Sequence, residues 1–344
     1  MIKPCLTPCL AGLLAFSTVT SADLVVLQYH HVSPITPAST STSPSLFERQ
    51  LETVERLDLE VVPLDSGTRD ALAGKLEDRQ QVAITFDDAY ESVWEVAAPI
   101  LQERDYPFTV FVNTDAIGQS GYMTWEQLET WAEDPNVLIA NHTEDHGHLP
   151  QKPDESDDDW QERINASLDN AQETLKERLG TSLPLFAYPY GEFDDKTEAA
   201  VAERDWLGYG QHSGAIGESS NTTRLPRFPM ATAFGQLNTL QNKLRSRALP
   251  LDQDIQPSGV LQENPPKLEL TLAEELEPGK LTCFATGKGR IEVESQGELS
   301  QTVHVQAPSS FIDRRVRYNC TYALGDGSYY WYSHQWTDLS RVED

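Results

Sequence analysis

From Asp23 to about Leu249 the chain alternates short apolar runs with stretches of helical periodicity, and few folds accommodate that alternation. The apolar runs are of strand length: Leu24–Tyr29, Val82–Phe86, Phe108–Val112, Val137–Ala140, Leu185–Tyr188 and Trp206–Gly210. Helices are expected between them. One spans Leu46–Leu57, where Ser43-Pro44 supplies an N-cap and a first-turn proline. Another spans Trp160–Leu179, where Trp160, Ile164, Leu168, Ala171, Leu175 and Leu179 recur at helical spacing. The acidic run Asp154–Asp159 before it suits a solvated loop at the positive end of that helix better than a metal site. Repeated βα units predict an α/β fold on a parallel sheet.

Past Leu249 the pattern changes. Residues 249–266 hold Pro250, Pro257, Pro265 and Pro266 with little apolar content and read as a linker between a domain at 23–248 and a smaller one at 267–344. In the smaller unit Leu268–Leu272, Arg290–Glu294, Thr302–Gln306 and Arg315–Asn319 alternate with period two, as strands of an antiparallel sandwich do. The aromatic cluster Tyr329-Tyr330-Trp331-Tyr332 with Trp336 has two readings, a sugar-binding platform or the core of that sandwich.

Lys3, the apolar stretch around Leu10–Phe16 and the small residues ending at Ala22 form a secretory signal pattern over residues 1–22. That stretch is too short to span a bilayer, and no later one reaches the roughly 20 apolar residues a transmembrane helix needs. A secreted or periplasmic location follows. Cleavage would leave Cys283 and Cys320, which an oxidising compartment favours pairing; the alternative is two separately buried thiols. Acidic residues outnumber basic ones 54 to 26, a net charge of −28. Nucleic acid and anionic membranes are poor partners for such a field, and a neutral or cationic substrate suits it.

The chemistry concentrates at two places. Val82-Ala-Ile-Thr-Phe-Asp87-Asp88 is a strand that ends in adjacent carboxylates, one able to bind a cation while the other acts as a base. Alone, such a pair also serves as a turn or helix cap. After the strand Val137–Ala140 comes His142-Thr-Glu-Asp-His146-Gly-His148, whose first two imidazoles can meet on one ion if the backbone curls into a helical turn or compact loop. His30, His31, Asp87, Asp88, His142, Tyr190 and His212 all follow the C-terminal ends of expected strands, the rim where barrels of parallel strands assemble active sites.

Thr85-Phe-Asp-Asp88 and His142-Thr-Glu-Asp-His146 resemble the first two motifs of the polysaccharide deacetylases, the NodB-homology domains of carbohydrate esterase family four, over roughly residues 24–235. The resemblance implies a distorted, incomplete (β/α) barrel. It also implies Asp87 as general base and Asp88, His142 and His146 as ligands of a divalent metal, zinc first, with cobalt or nickel as alternatives. Phe186-Ala-Tyr-Pro-Tyr-Gly191 departs from the family pattern by placing Ala187 where an arginine commonly stands. Tyr-Pro-Tyr-Gly, Tyr29-His30-His31-Val32, Gly210-Gln-His-Ser-Gly214 and Leu225-Pro-Arg-Phe-Pro229 resemble the branch that deacetylates poly-β-1,6-N-acetylglucosamine in biofilm matrices.

The substrate implied is therefore an acetylated polysaccharide or oligosaccharide. The family's late histidine has no clean counterpart, so His212 is the expected general acid, with a rim-loop structural role as the alternative. The backbone N–H of Tyr190 is the expected oxyanion donor, by resemblance. His30 and His31 are expected to be structural or to border the pocket, and His148 to stand behind the ligands or face solvent. Rival functions are deacetylation of chitooligosaccharide or peptidoglycan, removal of O-acetyl groups from xylan, and a catalytically silent carbohydrate-binding protein. The missing arginine hints at the last of these, and the intact Asp87, Asp88, His142 and His146 argue against it.

Overall fold

The computed structural model describes residues 22–76, 79–180, 182–252, 257–297 and 300–343. The signal segment lies outside the described residues, apart from Ala22. Six parallel strands form the main sheet: β1 (Leu24–Tyr29), β2 (Gln81–Asp87), β3 (Phe108–Val112), β4 (Val137–Asn141), β5 (Leu185–Ala187) and β6 (Leu207–Tyr209), adjacent in that order. β1 to β3 are buried along nearly their whole length, which is why they read as continuous apolar runs. A short β7 (Ala215–Ile216) runs antiparallel to the start of β1, and β8 (Phe228–Pro229) runs parallel to its end.

The sheet curls into an incomplete barrel, and one segment bridges its gap. Leu225 pairs with Tyr209 of β6, while Phe228 and Pro229 pair with Leu27 and Gln28 of β1. The chain 225–229 thus touches both outer strands and carries Arg227 between them.

Two helices matter most for the site. In α1 (Pro44–Arg56) the Ser43 side chain accepts from the Leu46 N–H, the cap expected from the sequence, and Phe47, Leu51 and Val54 are buried. In α2 (Asp157–Leu179) Ser156 caps the start, three aspartates occupy the first turn, and Gly180 closes the end in the left-handed conformation. Trp160, Ile164, Leu168, Ala171 and Leu175 form its buried stripe. Burial of side chains of this size contributes about 1.5–3 kcal/mol each.

The C-terminal unit is a sandwich of two sheets. One has the order β9 (Ser246–Ala248), β16 (Tyr329–Thr337), β15 (Arg315–Ala323), β11 (Leu281–Ala285), β12 (Gly289–Ile291). The other has the order β10 (Lys267–Thr271), β14 (Thr302–Gln306), β13 (Val293–Ser295). The strand expected at Arg290–Glu294 is divided: Ile291 pairs with Cys283 in one sheet and Val293 with Val305 in the other, so the chain changes sheets at Glu292. Cys283 and Cys320 are directly opposed on β11 and β15 and form a disulfide.

The proline-rich run expected as a linker is instead laid along the sandwich where it is described. Leu251 bridges to Leu272, Val260 bridges to Thr337, and Leu249 lies in the second core. β16 joins the two units by its alternation. Trp331 packs edge-on against Phe228 and the barrel core, while Tyr330, Tyr332 and Trp336 turn to the sandwich core. The aromatic cluster therefore serves packing on both sides.

Asp23 marks the seam. Its Oδ2 accepts from the Ala248 N–H at 2.6 Å, and burial pushes its carboxyl from 3.8 up to about 7. A folded pKa above the unfolded one means stability fully present below pH 4 and lost as pH rises through about 7. Asp23→Asn keeps the acceptor and removes the charge. Its unfolding free energy, measured by urea titration across that window, should therefore fall less with pH than the wild type's.

Candidate metal centre and active site

Five of the eight described non-glycine residues with positive φ lie at the strand ends that build this site: Asp88, Ala89, Thr143, His146 and Tyr190. The other three, Asp58, Asp105 and Asp205, each follow a helix. Left-handed backbone at non-glycine residues costs on the order of 1–3 kcal/mol each and persists only where the surroundings over-determine it. Here it turns β2 sharply at Asp87-Asp88, so that both carboxylates are kept inside the barrel mouth, 0% and 5% exposed.

The histidines occupy a compact loop rather than a helical turn. The Thr143 N–H donates to Asn141 Oδ1 at 2.7 Å, and the His146 N–H donates to Thr143 Oγ1 at 2.9 Å. α2 pins the loop from outside. Glu144 N–H donates to the Ser167 carbonyl, Ser167 Oγ donates to Asp145, and Arg163 reaches back to the His148 carbonyl at 2.8 Å.

Asp88, His142 and His146 meet. Asp88 Oδ1 is 3.4 Å from His142 Nε2 and 3.1 Å from His146 Nε2, and one ligand atom from each residue lies within 4.8 Å of the others. His142 Nδ1 is 2.7 Å from the Ala187 carbonyl, which fixes the proton there and leaves Nε2 as a lone pair aimed at the cluster. Asp88 Oδ1 and His142 Nε2 are buried without a hydrogen bond. Buried lone pairs that converge without protons between them are costly alone and fit a divalent cation held by two imidazoles and a carboxylate, with positions left open for other ligands.

Asp87 is held on both oxygens. Arg227 donates from its two terminal nitrogens to Oδ1 at 2.7 Å and Oδ2 at 2.9 Å, and Gln28 Nε2 donates to Oδ2 at 2.7 Å. Arg227 is itself fully buried, its Nε donating to the Gly210 carbonyl and its guanidinium lying 5.2 Å from the centre of the Phe111 ring. Burial by itself would raise the Asp87 carboxyl, but Arg227, His142 and His30 outweigh it and keep the group below its ordinary value. The arginine that Ala187 lacks is therefore supplied by Leu225-Pro-Arg-Phe-Pro229, and the hint of a silent site drawn from its absence is corrected. The proline-flanked arginine in that segment was the available signal.

His212 is not brought to this cluster. It is buried beside Phe193 and faces Arg224, Arg317 and His334 at the seam with the sandwich. Burial first, then Arg317, His334 and Arg224, hold its pKa well below the ordinary histidine value, so near neutral pH it is a neutral imidazole and a poor general acid. The histidine that does reach the site is His30, with Nε2 4.0 Å from Asp87 Oδ2 and its side chain 18% exposed. His31 stacks on Tyr90 at 3.5 Å, and burial followed by the neighbouring His30 lowers its pKa to about 4.

Tyr190 lies beside the cluster. Its ring packs edge-on against His146 at 4.7 Å and stacks on His148 at 4.1 Å with only 4° between the planes. His148 therefore stands behind Tyr190, its Nδ1 2.8 Å from Glu192.

The molecule thus combines an incomplete parallel barrel with a two-histidine, one-carboxylate cluster and a buttressed second carboxylate at its C-terminal rim. Residues 75–206 match the family model for polysaccharide deacetylases. It is 25% identical over 195 residues to the poly-β-1,6-N-acetyl-D-glucosamine N-deacetylase of Staphylococcus epidermidis, covering 54% of this chain and 67% of that protein. Among solved structures it is similar to the deacetylase PplD of Streptococcus pyogenes (TM-score 0.57, 23% identity, 64% of this chain and 98% of that one). It is also similar to IcaB of Ammonifex degensii (TM-score 0.56, 24% identity, 65% and 96%).

Arg227→Met strands a buried carboxylate, and loss of one partner from such a pair costs about 3–5 kcal/mol. Chemical denaturation of this variant should show that loss. A variant as stable as the wild type would mean that Asp87 does not depend on Arg227.

Proposed function

We propose that this protein removes N-acetyl groups from an N-acetylglucosamine-containing polysaccharide, most specifically poly-β-1,6-N-acetylglucosamine, with Asp87 as base and Asp88, His142 and His146 as metal ligands. The observation that carries the reading is the buried Asp87 carboxylate, ionised and oriented by Arg227 and Gln28, beside three converging ligand atoms. The similarity to a named poly-β-1,6-N-acetyl-D-glucosamine deacetylase supports the substrate.

A divalent cation, zinc before cobalt or nickel, would supply carbonyl polarisation and acidification of water when bound. Asp87 accepts the proton of the attacking water. As the oxygen–carbon bond forms, the Tyr190 backbone N–H donates to the oxyanion, held at the rim by the left-handed turn at φ 58°. His30, 4.0 Å from Asp87 and partly open to solvent, replaces His212 as the proton donor to the departing amine when the C–N bond breaks. Acetate and a free glucosamine unit result.

An exported location suits this substrate, and the Cys283–Cys320 disulfide supports it. Among the described residues no helix is long and apolar enough to cross a membrane.

Purified protein should release acetate from poly-β-1,6-N-acetylglucosamine and stop on chelation. Asp87→Asn and His30→Gln should lower kcat by about 10²–10⁴-fold, the usual worth of a positioned acid or base. His146→Ala should weaken cobalt binding read by its visible absorption. Faster release from chitooligosaccharide, peptidoglycan or acetylated xylan would replace the substrate. No release from any acetylated glycan by the metal-loaded protein would sink the enzyme reading in favour of a binding protein.

A further inference from the structure

The sandwich does more than follow the barrel in sequence, because it reaches the loop that carries Tyr190. Tyr190 and Gly191 are consecutive left-handed residues, at φ 58° and 68°. A side chain at Gly191 would meet Gln211 Cβ at 2.7 Å, so the turn is also sterically confined. Such a turn needs restraint from outside its own backbone.

Much of that restraint comes from the residues that enter β15 and from β16. Glu192, fully buried, accepts from Arg314 Nε at 2.8 Å and a second Arg314 nitrogen at 3.0 Å, and from Arg315 at 2.8 Å. Burial alone would raise the Glu192 carboxyl, but His148 and Arg314 reverse this and hold it down at about 2. The Arg315 guanidinium lies 5.5 Å from the centre of the Tyr190 ring. Gln335 Nε2 donates to the Gly191 carbonyl at 2.8 Å. These contacts come from residues outside the family match at 75–206.

We infer that Arg314, Arg315 and Gln335 are positioning residues, through which the C-terminal sandwich fixes the Tyr190 turn and completes the active site of the barrel. They act through Glu192, Gly191 and the Tyr190 ring rather than on substrate. The inference rests on the deacetylase reading for its catalytic consequence, but the restraint of the loop stands apart from it.

The test compares wild type, Arg315→Met, Arg315→Lys and Gln335→Leu as full chains, by hydrogen–deuterium exchange and by acetate release. In Arg315→Met and Gln335→Leu, peptides spanning 188–193 should exchange faster while the barrel strands keep their protection. Turnover should fall about 10- to 100-fold in kcat, as misplacement of a catalytic group does, with KM little changed. Arg315→Lys, which keeps a cation at Glu192 and the ring, should restore most of kcat. Unchanged exchange at 188–193 would overturn the inference. Loss of kcat matched by faster exchange throughout the chain would reduce these residues to general stability. If wild type releases no acetate while the exchange difference persists, the deacetylase reading fails and the loop restraint survives.

Discussion

A fully buried guanidinium and a fully buried carboxylate face each other across the mouth of this barrel, and the site depends on their being paired. Either charge alone in that environment would be driven to neutralise or to unfold its surroundings. Together, with Gln28 donating to the carboxylate and Thr85 and the Gly210 carbonyl accepting from the guanidinium, they form a closed polar network. The network also closes the fold. Arg227 sits on the segment whose flanking residues pair with β6 on one side and β1 on the other, so orienting Asp87 and bridging the gap of the barrel are one structural event.

The two histidines of the cluster are held by different means suited to their positions. His142 follows β4 directly and is fixed by the carbonyl at the end of the neighbouring strand, an arrangement that parallel register supplies without extra machinery. His146 lies beyond the strand, and its loop depends on α2 for contacts that a strand end cannot give. Burial follows the same gradient, from 0% exposure of the His142 side chain to 23% for His146. The inner histidine is fixed by the strand end, and the outer one is the more open of the two.

The strands, α1 and α2 were legible because their signals are local: continuous apolar runs, a Ser-Pro cap and a helical stripe. The meeting of Asp88, His142 and His146 was legible because each residue follows a strand in a recognisable motif. Arg227 was not, since its partner lies 140 residues away and nothing in a linear reading says that chain 225–229 closes the barrel. His212 was misplaced for a related reason. A histidine just after a strand end looks like a rim residue, yet the sandwich covers that part of the rim and buries the ring among arginines. Arg290–Glu294 shows the same limit on a smaller scale, because period two holds through a change of sheet and cannot reveal it.

The seam between the units explains why a proline-rich, apolar-poor run does not behave as a loose tether. β9 leaves the barrel and pairs in parallel with β16, the last strand of the chain, so the C-terminus is woven against the point of exit. β16 then alternates, giving Trp331 to one core and its neighbours to the other. A strand shared in this way couples the two cores, since displacing it would open apolar surface on both sides. Contacts from the same sheet to Glu192 and Gly191 are consequently made from a fixed platform, which a flexibly linked module could not provide for a turn whose own backbone is strained.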